Sequence, residues 1–279
     1  MILIADGGST NTEWRLIDES STYSMKCGGI NPFFNSEEQI AVELKKMEFP
    51  VSKSKVEEIY FYGAGITGNR IREIFERAFI NYFGVTKIHL YDDLTAAGRA
   101  LFRKGSGIAA ILGTGSNSGL YIEGELTDKI PPLGYILGDE GSGADIGIRF
   151  LNALHKRKLP AELTKSLLER EELNMEWALH RVYRERQPNQ FLASLTRIVK
   201  DTIDIPEVRD IVISAFQDFM KNNIQQYKNY SAYDIGFVGS VAFHFQDELW
   251  EVFSSKKLKI KKILPSPIDE LAEYHRQLL

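Results

Sequence analysis

At 279 residues the chain is long for a single core and long enough for two lobes, and its apolar and charged fractions are those of a globular protein. A net charge of −4 offers no general attraction to nucleic acid or to an anionic membrane surface, and no apolar run approaches the length that spans a bilayer. One cysteine, Cys27, excludes an internal disulfide and a cysteine-rich zinc site, and the histidines at 89, 155, 180, 244 and 275 show no metal-ligand spacing. MILIADGG reads as a core strand rather than a signal peptide, so a cytoplasmic location is expected.

Residues 2–5, 13–17 and 22–27 read as three short strands linked by turns. A helix is expected over 37–48 with Ser36 as N-cap, then a buried strand at 56–66 and an amphipathic helix closed by Gly84. The segment TKIHLYDD is a further strand, and LTAAGRALF a short helix. In the second half, 107–126 gives strand, Gly-rich turn, strand; GDEGSGADIGIRFLNALHKR turns from glycines into a helix; and 160–230 is nearly all helical. A strand, a Gly-Ser turn and a helix follow from Tyr233, then a last strand, LKIKKILP, and a last helix, SPIDELAEYHRQL. Strand–turn–strand with a Gly/Thr/Ser turn thus occurs twice, near 8 and near 115, as two related α/β lobes would give.

Those two turns carry the first chemical signal. Glycines let backbone N–H groups approach an anion, and Ser or Thr hydroxyls add donors. Neither turn is a Walker A loop or a dinucleotide fingerprint, since no GxxxxGK[ST] exists and GTGSNSG is followed by a strand. The alternative for each turn is a plain hairpin. The acid Asp6 beside such a grip would repel phosphate unless a cation lay between them, which suits Mg²⁺; otherwise Asp6 is a turn-forming residue. In YDDLTAAG two acids stand at a strand end before a helix, where one caps and one could serve as a general base. In LGDEGSGAD acids among glycines read as a binding loop.

Together these residues resemble the sugar kinase/heat-shock chaperone/actin ATPase superfamily and, within it, the N-acetylglucosamine kinase and BadF/BadG-type ATPase branch. DGGSTNTEW (6–14) matches the first phosphate motif, ILGTGSNS (111–118) the second, FVGSVAF (237–243) the adenosine-side glycine motif, and GDEGSG (138–143) the GDEGS loop of N-acetylglucosamine kinases. The resemblance runs from Met1 to about Phe243, with the motifs in order. It implies a two-lobed actin-like, ribonuclease H-like α/β fold with a cleft between lobes at 1–112 and 113–279, the last helix having the option of packing back on the first lobe.

The activity so implied is ATP-dependent phosphorylation of an amino sugar such as N-acetylglucosamine. Asp93 would be the catalytic base, Asp92 standing one residue too early. ATP phosphates would lie against Gly8, Ser9, Thr10 and Asn11 and against Gly113, Thr114, Gly115 and Ser116; Gly239 and Ser240 would flank the adenosine. Asp6 would hold Mg²⁺, and Asn31, Asp93 and Asp139 the sugar. A homodimer is also implied. Two departures stand out: Asn11 replaces a Lys common in the branch, removing one phosphate partner, and the C-terminus lacks the Gly-Gly-Ala helix of longer relatives, trimming the adenine side. Two other functions share the fold. An ATPase that activates a partner enzyme would need cysteines for an iron–sulfur cluster, which a lone Cys27 does not supply, and a non-catalytic sugar or nucleotide sensor would not need Asp93.

Overall fold

A computed structural model describes residues 1–8, 11–30, 35–66 and 68–279. The chain divides into two compact units, one of 1–105, 123–126 and 266–279, the other of 106–122 and 127–265.

In the first unit β1 (Ile2–Gly7), β2 (Asn11–Ile17) and β3 (Thr22–Gly28) form an antiparallel meander, and β4 (Glu58–Gly63) and β5 (Ile88–Tyr91) continue the sheet in parallel, in the order β3-β2-β1-β4-β5. Leu3, Ile4 and Ala5 of central β1 are fully buried in succession, the pattern of a strand covered on both faces. Three helices link the strands: α1 (Glu37–Lys45), α2 (Asn69–Phe83) and α3 (Asp93–Phe102). Ser36 caps α1 in a reciprocal pair with Gln39, and Gly84 closes α2 in the left-handed conformation, both as the sequence indicates. Helix α1 ends at Lys45, short of the expected residue 48. The buried stripe Phe75, Ala78, Phe79 and Phe83 of α2 packs on Phe61 and Trp14, with ring centroids of Trp14 and Phe79 6.1 Å apart. The C-terminal helix α13 (Ile268–Arg276) also belongs to this unit, lying on α3, β1 and β2.

The second unit repeats the plan. Strands β6 (Gly107–Leu112), β7 (Ser116–Ile122) and β8 (Glu125–Ile130) form the meander, and β9 (Ile235–Val238) and β10 (Ile260–Leu264) the parallel extension, in the order β10-β9-β6-β7-β8. The twice-repeated strand–turn–strand signal is the visible part of this duplication. Because β6 is the central strand here, the division falls at 105/106 and not at the expected 112/113. Strand β8 has no counterpart in the sequence reading: Glu123 and Gly124, both at positive φ, turn the chain in two residues, and the polar, largely exposed ELTDKI carries no apolar alternation.

Between β8 and β9 lie α4 (Gly134–Leu137), α5 (Gly143–His155), α6 (Ala161–Leu168), α7 (Met175–Tyr183), α8 (Pro188–Ser194), α9 (Thr196–Asp201) and α10 (Pro206–Asn222); α11 (Ser240–His244) and α12 (Gln246–Ser255) separate β9 from β10. No helix among the described residues is long and apolar enough to cross a membrane.

Candidate functional site

The acids of the first unit converge because of strand register. In the β1–β2 pair Asp6 stands directly opposite Glu13, and in the β2–β3 pair Glu13 stands opposite Lys26. Lys26 Nζ reaches Glu13 Oε1 at 2.6 Å, and the Ser266 hydroxyl, just ahead of α13, donates to Glu13 Oε2 at 2.9 Å. Burial opposes ionisation of Glu13, but hydrogen bonds from Lys26 and Ser266 and the charges of Lys26 and Arg15 outweigh it and hold the carboxyl below the usual range. Asp6 lacks such relief. Burial, then the neighbouring Asp93 and Glu13, push its carboxyl up to about 7, with the Ser266 hydroxyl as the opposing influence.

Asp92 and Asp93 separate cleanly. Asp92 is the N-cap of α3, its carboxylate accepting from the Thr95 N–H at 2.7 Å, so its oxygen is spent on the helix. Asp93 is the first residue inside the helix, partly exposed, where the helix dipole favours a carboxylate.

Ser9, Thr10 and Asn31 lie outside the described residues. Their flanks are fixed: the Gly8 N–H donates to the Asn11 carbonyl at 3.0 Å, and the buried Thr12 hydroxyl accepts from the Ile30 N–H at 3.0 Å. Thr12, the third hydroxyl of the first turn, is therefore an anchor for the chain entering 31–34. Cys27 is also structural: the indole of Trp14 donates to its sulfur at 3.3 Å, and burial pushes its thiol up.

In the second unit the turn 113–115 joins β6 to β7 and is tied to the start of α5. The N–H groups of Gly143 and Ala144 donate to the carbonyls of Gly113 and Thr114 at 2.8 and 3.2 Å. A trans peptide places its N–H opposite its C=O. With those two carbonyls aimed at α5, the N–H groups of Thr114 and Gly115 face the other way, side by side, an arrangement that can cradle an anion. The N–H of Ser116 is engaged by the Asp139 carboxylate.

The loop 138–143 explains its own composition. Ser142 caps α5 by accepting from the Asp145 N–H at 3.1 Å. Asp145 accepts from the Gly141 N–H at 2.9 Å and pairs with Arg149, and the two oxygens of Glu140 accept from Asn222 and Asn223. Asp139 caps nothing. It stands in the left-handed region at φ 54°, its carboxylate against Gly115, where any side chain would collide with it. Burial first, then Glu140 and Asp145, push its carboxyl up to about 6, against the hydrogen bond from Ser116.

Gly239 and Ser240 stand between β9 and α11. Gly239 has φ 123°, and a Cβ there would lie 2.3 Å from the Leu112 carbonyl oxygen, so only glycine serves. Ser240 opens on a cavity of about 410 Å³ lined also by Thr196, Arg197, Lys200 and His244, a volume in the range of small-molecule sites. Among the described residues no three of His, Cys, Asp and Glu converge to hold a metal ion by themselves.

No family model and no curated protein matches the chain. Solved structures do. A candidate N-acetylglucosamine kinase from Porphyromonas gingivalis is 36% identical over 99% of both chains, with a TM-score of 0.94. The chain belongs to the N-acetylglucosamine kinase family. A second candidate N-acetylglucosamine kinase, from Chromobacterium violaceum, shares 19% identity over 99% of this chain and 98% of its own, with a TM-score of 0.74. A ROK family glucokinase from Streptomyces griseus, solved with glucose and AMPPNP, shares 12% identity over 99% of this chain and 97% of its own, with a TM-score of 0.59. These two likenesses establish the actin-like α/β fold, which the duplicated sheets already display. The structure also brings residues not read from the motifs beside the expected ones. Glu13 could have been found from the hairpin register; Ser266 and the α9 side chains had no local signal.

Proposed function

We propose that the protein is an ATP-dependent kinase of an amino sugar, N-acetylglucosamine being the first candidate. The observation that carries this reading is the nearness of Asp93, just past the end of β5, to Asp6 near the end of β1, where its charge raises the proton affinity of Asp6: two carboxylates, one suited to a cation and one to a proton. Asp93, at the first turn of α3, accepts the proton of the primary hydroxyl as that oxygen attacks the terminal phosphoryl group of ATP. Asp139 accepts hydrogen bonds from sugar hydroxyls, which a carboxylate can receive but not donate, and Asn31 is assigned to the same substrate.

The N–H groups of Thr114 and Gly115 and the Ser116 hydroxyl hold phosphate oxygens, Gly113 leaving room beside them, as do Gly8, Ser9, Thr10 and Asn11 in the first unit. Gly239, Ser240 and the cavity beside them take the adenosine, Arg197 and Lys200 lining it. Asp6 fits Mg²⁺: it is a carboxyl short of positive charge beside two further acids, and Mg²⁺ commonly takes one or two protein carboxylates and completes its shell with water and phosphate. When bound, the ion neutralises charge developing on the transferred phosphoryl group. Exposed Ile136, Leu137 and Tyr183 on the second unit, each about three-quarters exposed, support assembly as a homodimer, and a cytoplasmic site of action supplies ATP and Mg²⁺. Incubation with ATP, Mg²⁺ and N-acetylglucosamine, followed by mass spectrometry of the sugar, tests the reading. The phosphorylated sugar supports it, and unchanged sugar beside an active control kinase opposes it.

A further inference from the structure

Two acids placed directly opposite across antiparallel strands repel, yet Asp6 and Glu13 occupy such a pair. One side chain from the far end of the chain joins them. The Ser266 hydroxyl donates to Glu13 Oε2 at 2.9 Å and accepts from the Ile268 N–H at 3.4 Å, and it stands near enough to the Asp6 carboxyl to favour its ionised form. Its position is set independently of the acids. Pro265 and Pro267 restrict the backbone on either side, and α13 is fastened to β2 by Asp269, which accepts from the buried Arg15 at 2.7 Å. A hydroxyl carries one hydrogen, and giving it to Glu13 holds that carboxylate in one orientation beside Asp6.

We propose that Ser266 is a positioning residue that, by fixing the Glu13 carboxylate directly opposite Asp6, keeps the Asp6 carboxyl in the orientation that receives the divalent cation of a metal–nucleotide substrate. The inference rests on the kinase reading above and adds to it a residue outside every motif, supplied by the C-terminal helix. Ser266 itself touches neither sugar nor nucleotide in this account. Its removal leaves Asp6 in place on β1 but frees the Glu13 carboxylate beside it to turn.

The test is calorimetric titration with AMPPNP, with and without Mg²⁺, on the full-length wild type, Ser266→Ala and Ser266→Thr, beside sugar KM and thermal melting. Loss of a hydrogen bond to an ionised group predicts that Ser266→Ala loses about ten-fold of the Mg²⁺-dependent gain in AMPPNP affinity, equivalent to about 1.4 kcal/mol. Mg²⁺-free affinity and sugar KM stay unchanged, and Ser266→Thr, which keeps the hydroxyl, restores the gain. A role confined to the start of α13 would lower the melting temperature without touching the Mg²⁺ gain, and that result overturns the proposal. So does equal impairment of the Ala and Thr variants. A wild type that phosphorylates sugar but whose Mg²⁺ gain survives in Ser266→Ala defeats this inference alone; a wild type with no Mg²⁺ gain and no sugar phosphorylation defeats the kinase reading as well.

Discussion

Asp6 supplies the most quantitative consequence of the structure. Its carboxyl rises from the ordinary 3.8 to about 7, chiefly through burial and then through Asp93 and Glu13. The folded protein therefore binds an extra proton between about pH 4 and 7, relative to the unfolded chain, and stability falls as pH rises through that window. The penalty of holding Asp6 ionised is fully present above pH 7. Each ten-fold in proton affinity is about 1.36 kcal/mol, which gives on the order of 4 kcal/mol, and solvent at this partly exposed group brings it to about 2–4 kcal/mol. Asp6→Asn removes the charge and keeps the shape. In the absence of divalent metal at pH 8 this variant should melt about 5–10 °C above wild type, taking about 2–4 °C per kcal/mol. The gap should close by about pH 4, where wild-type Asp6 is protonated. Scanning calorimetry in EDTA across this range measures it. A variant that melts at or below the wild type at pH 8, or that keeps the wild-type pH slope between 5 and 8, refutes the picture of an acid whose ionised form is disfavoured in the folded chain.

Asp93→Asn should lower sugar-dependent turnover by about 10²–10⁴-fold with little change in AMPPNP affinity, the cost of a lost general base; near wild-type turnover would remove that role from Asp93. Asp139→Asn is a better probe than alanine because the residue stands at φ 54°, which asparagine tolerates. It should raise sugar KM about ten-fold or more with the sugar-free melting temperature nearly unchanged, and a normal KM would leave Asp139 as a brace for the Ser116 N–H. Cys27→Ala should preserve turnover, since the buried sulfur accepts from the Trp14 indole in the core; an iron–sulfur absorption band lost in that variant would point instead to a partner-activating ATPase.

Much of this was legible because it is local. The β1–β2 hairpin, the Ser36 cap and the Gly84 stop each follow from residues a few positions apart, where backbone geometry dictates residue type. The loop 138–143 was legible as special but not in its division of labour: only the coordinates show that Ser142 caps, that Glu140 and Asp145 fasten the loop, and that Asp139 lies against the 113–116 turn instead. Contacts between distant parts of the chain left no local trace. Ser266 meets Glu13 across 253 positions, and its PSP context reads only as the start of a helix. Thr196, Arg197 and Lys200 look like ordinary residues of a helical stretch until α9 and α11 bring them beside Ser240. Strand β8 was missed because a polar edge strand lacks the alternation by which strands are recognised.

The central claim is sugar-dependent phosphoryl transfer, and ADP release by the purified protein, measured across a panel of hexoses and N-acetylated hexosamines with a sugar-free control, tests it most directly. The account predicts ADP release that requires sugar, is fastest with an N-acetylated hexosamine, and collapses in Asp93→Asn. ADP release at the same rate with and without every sugar, or binding of sugar with no ADP release at all, would contradict it.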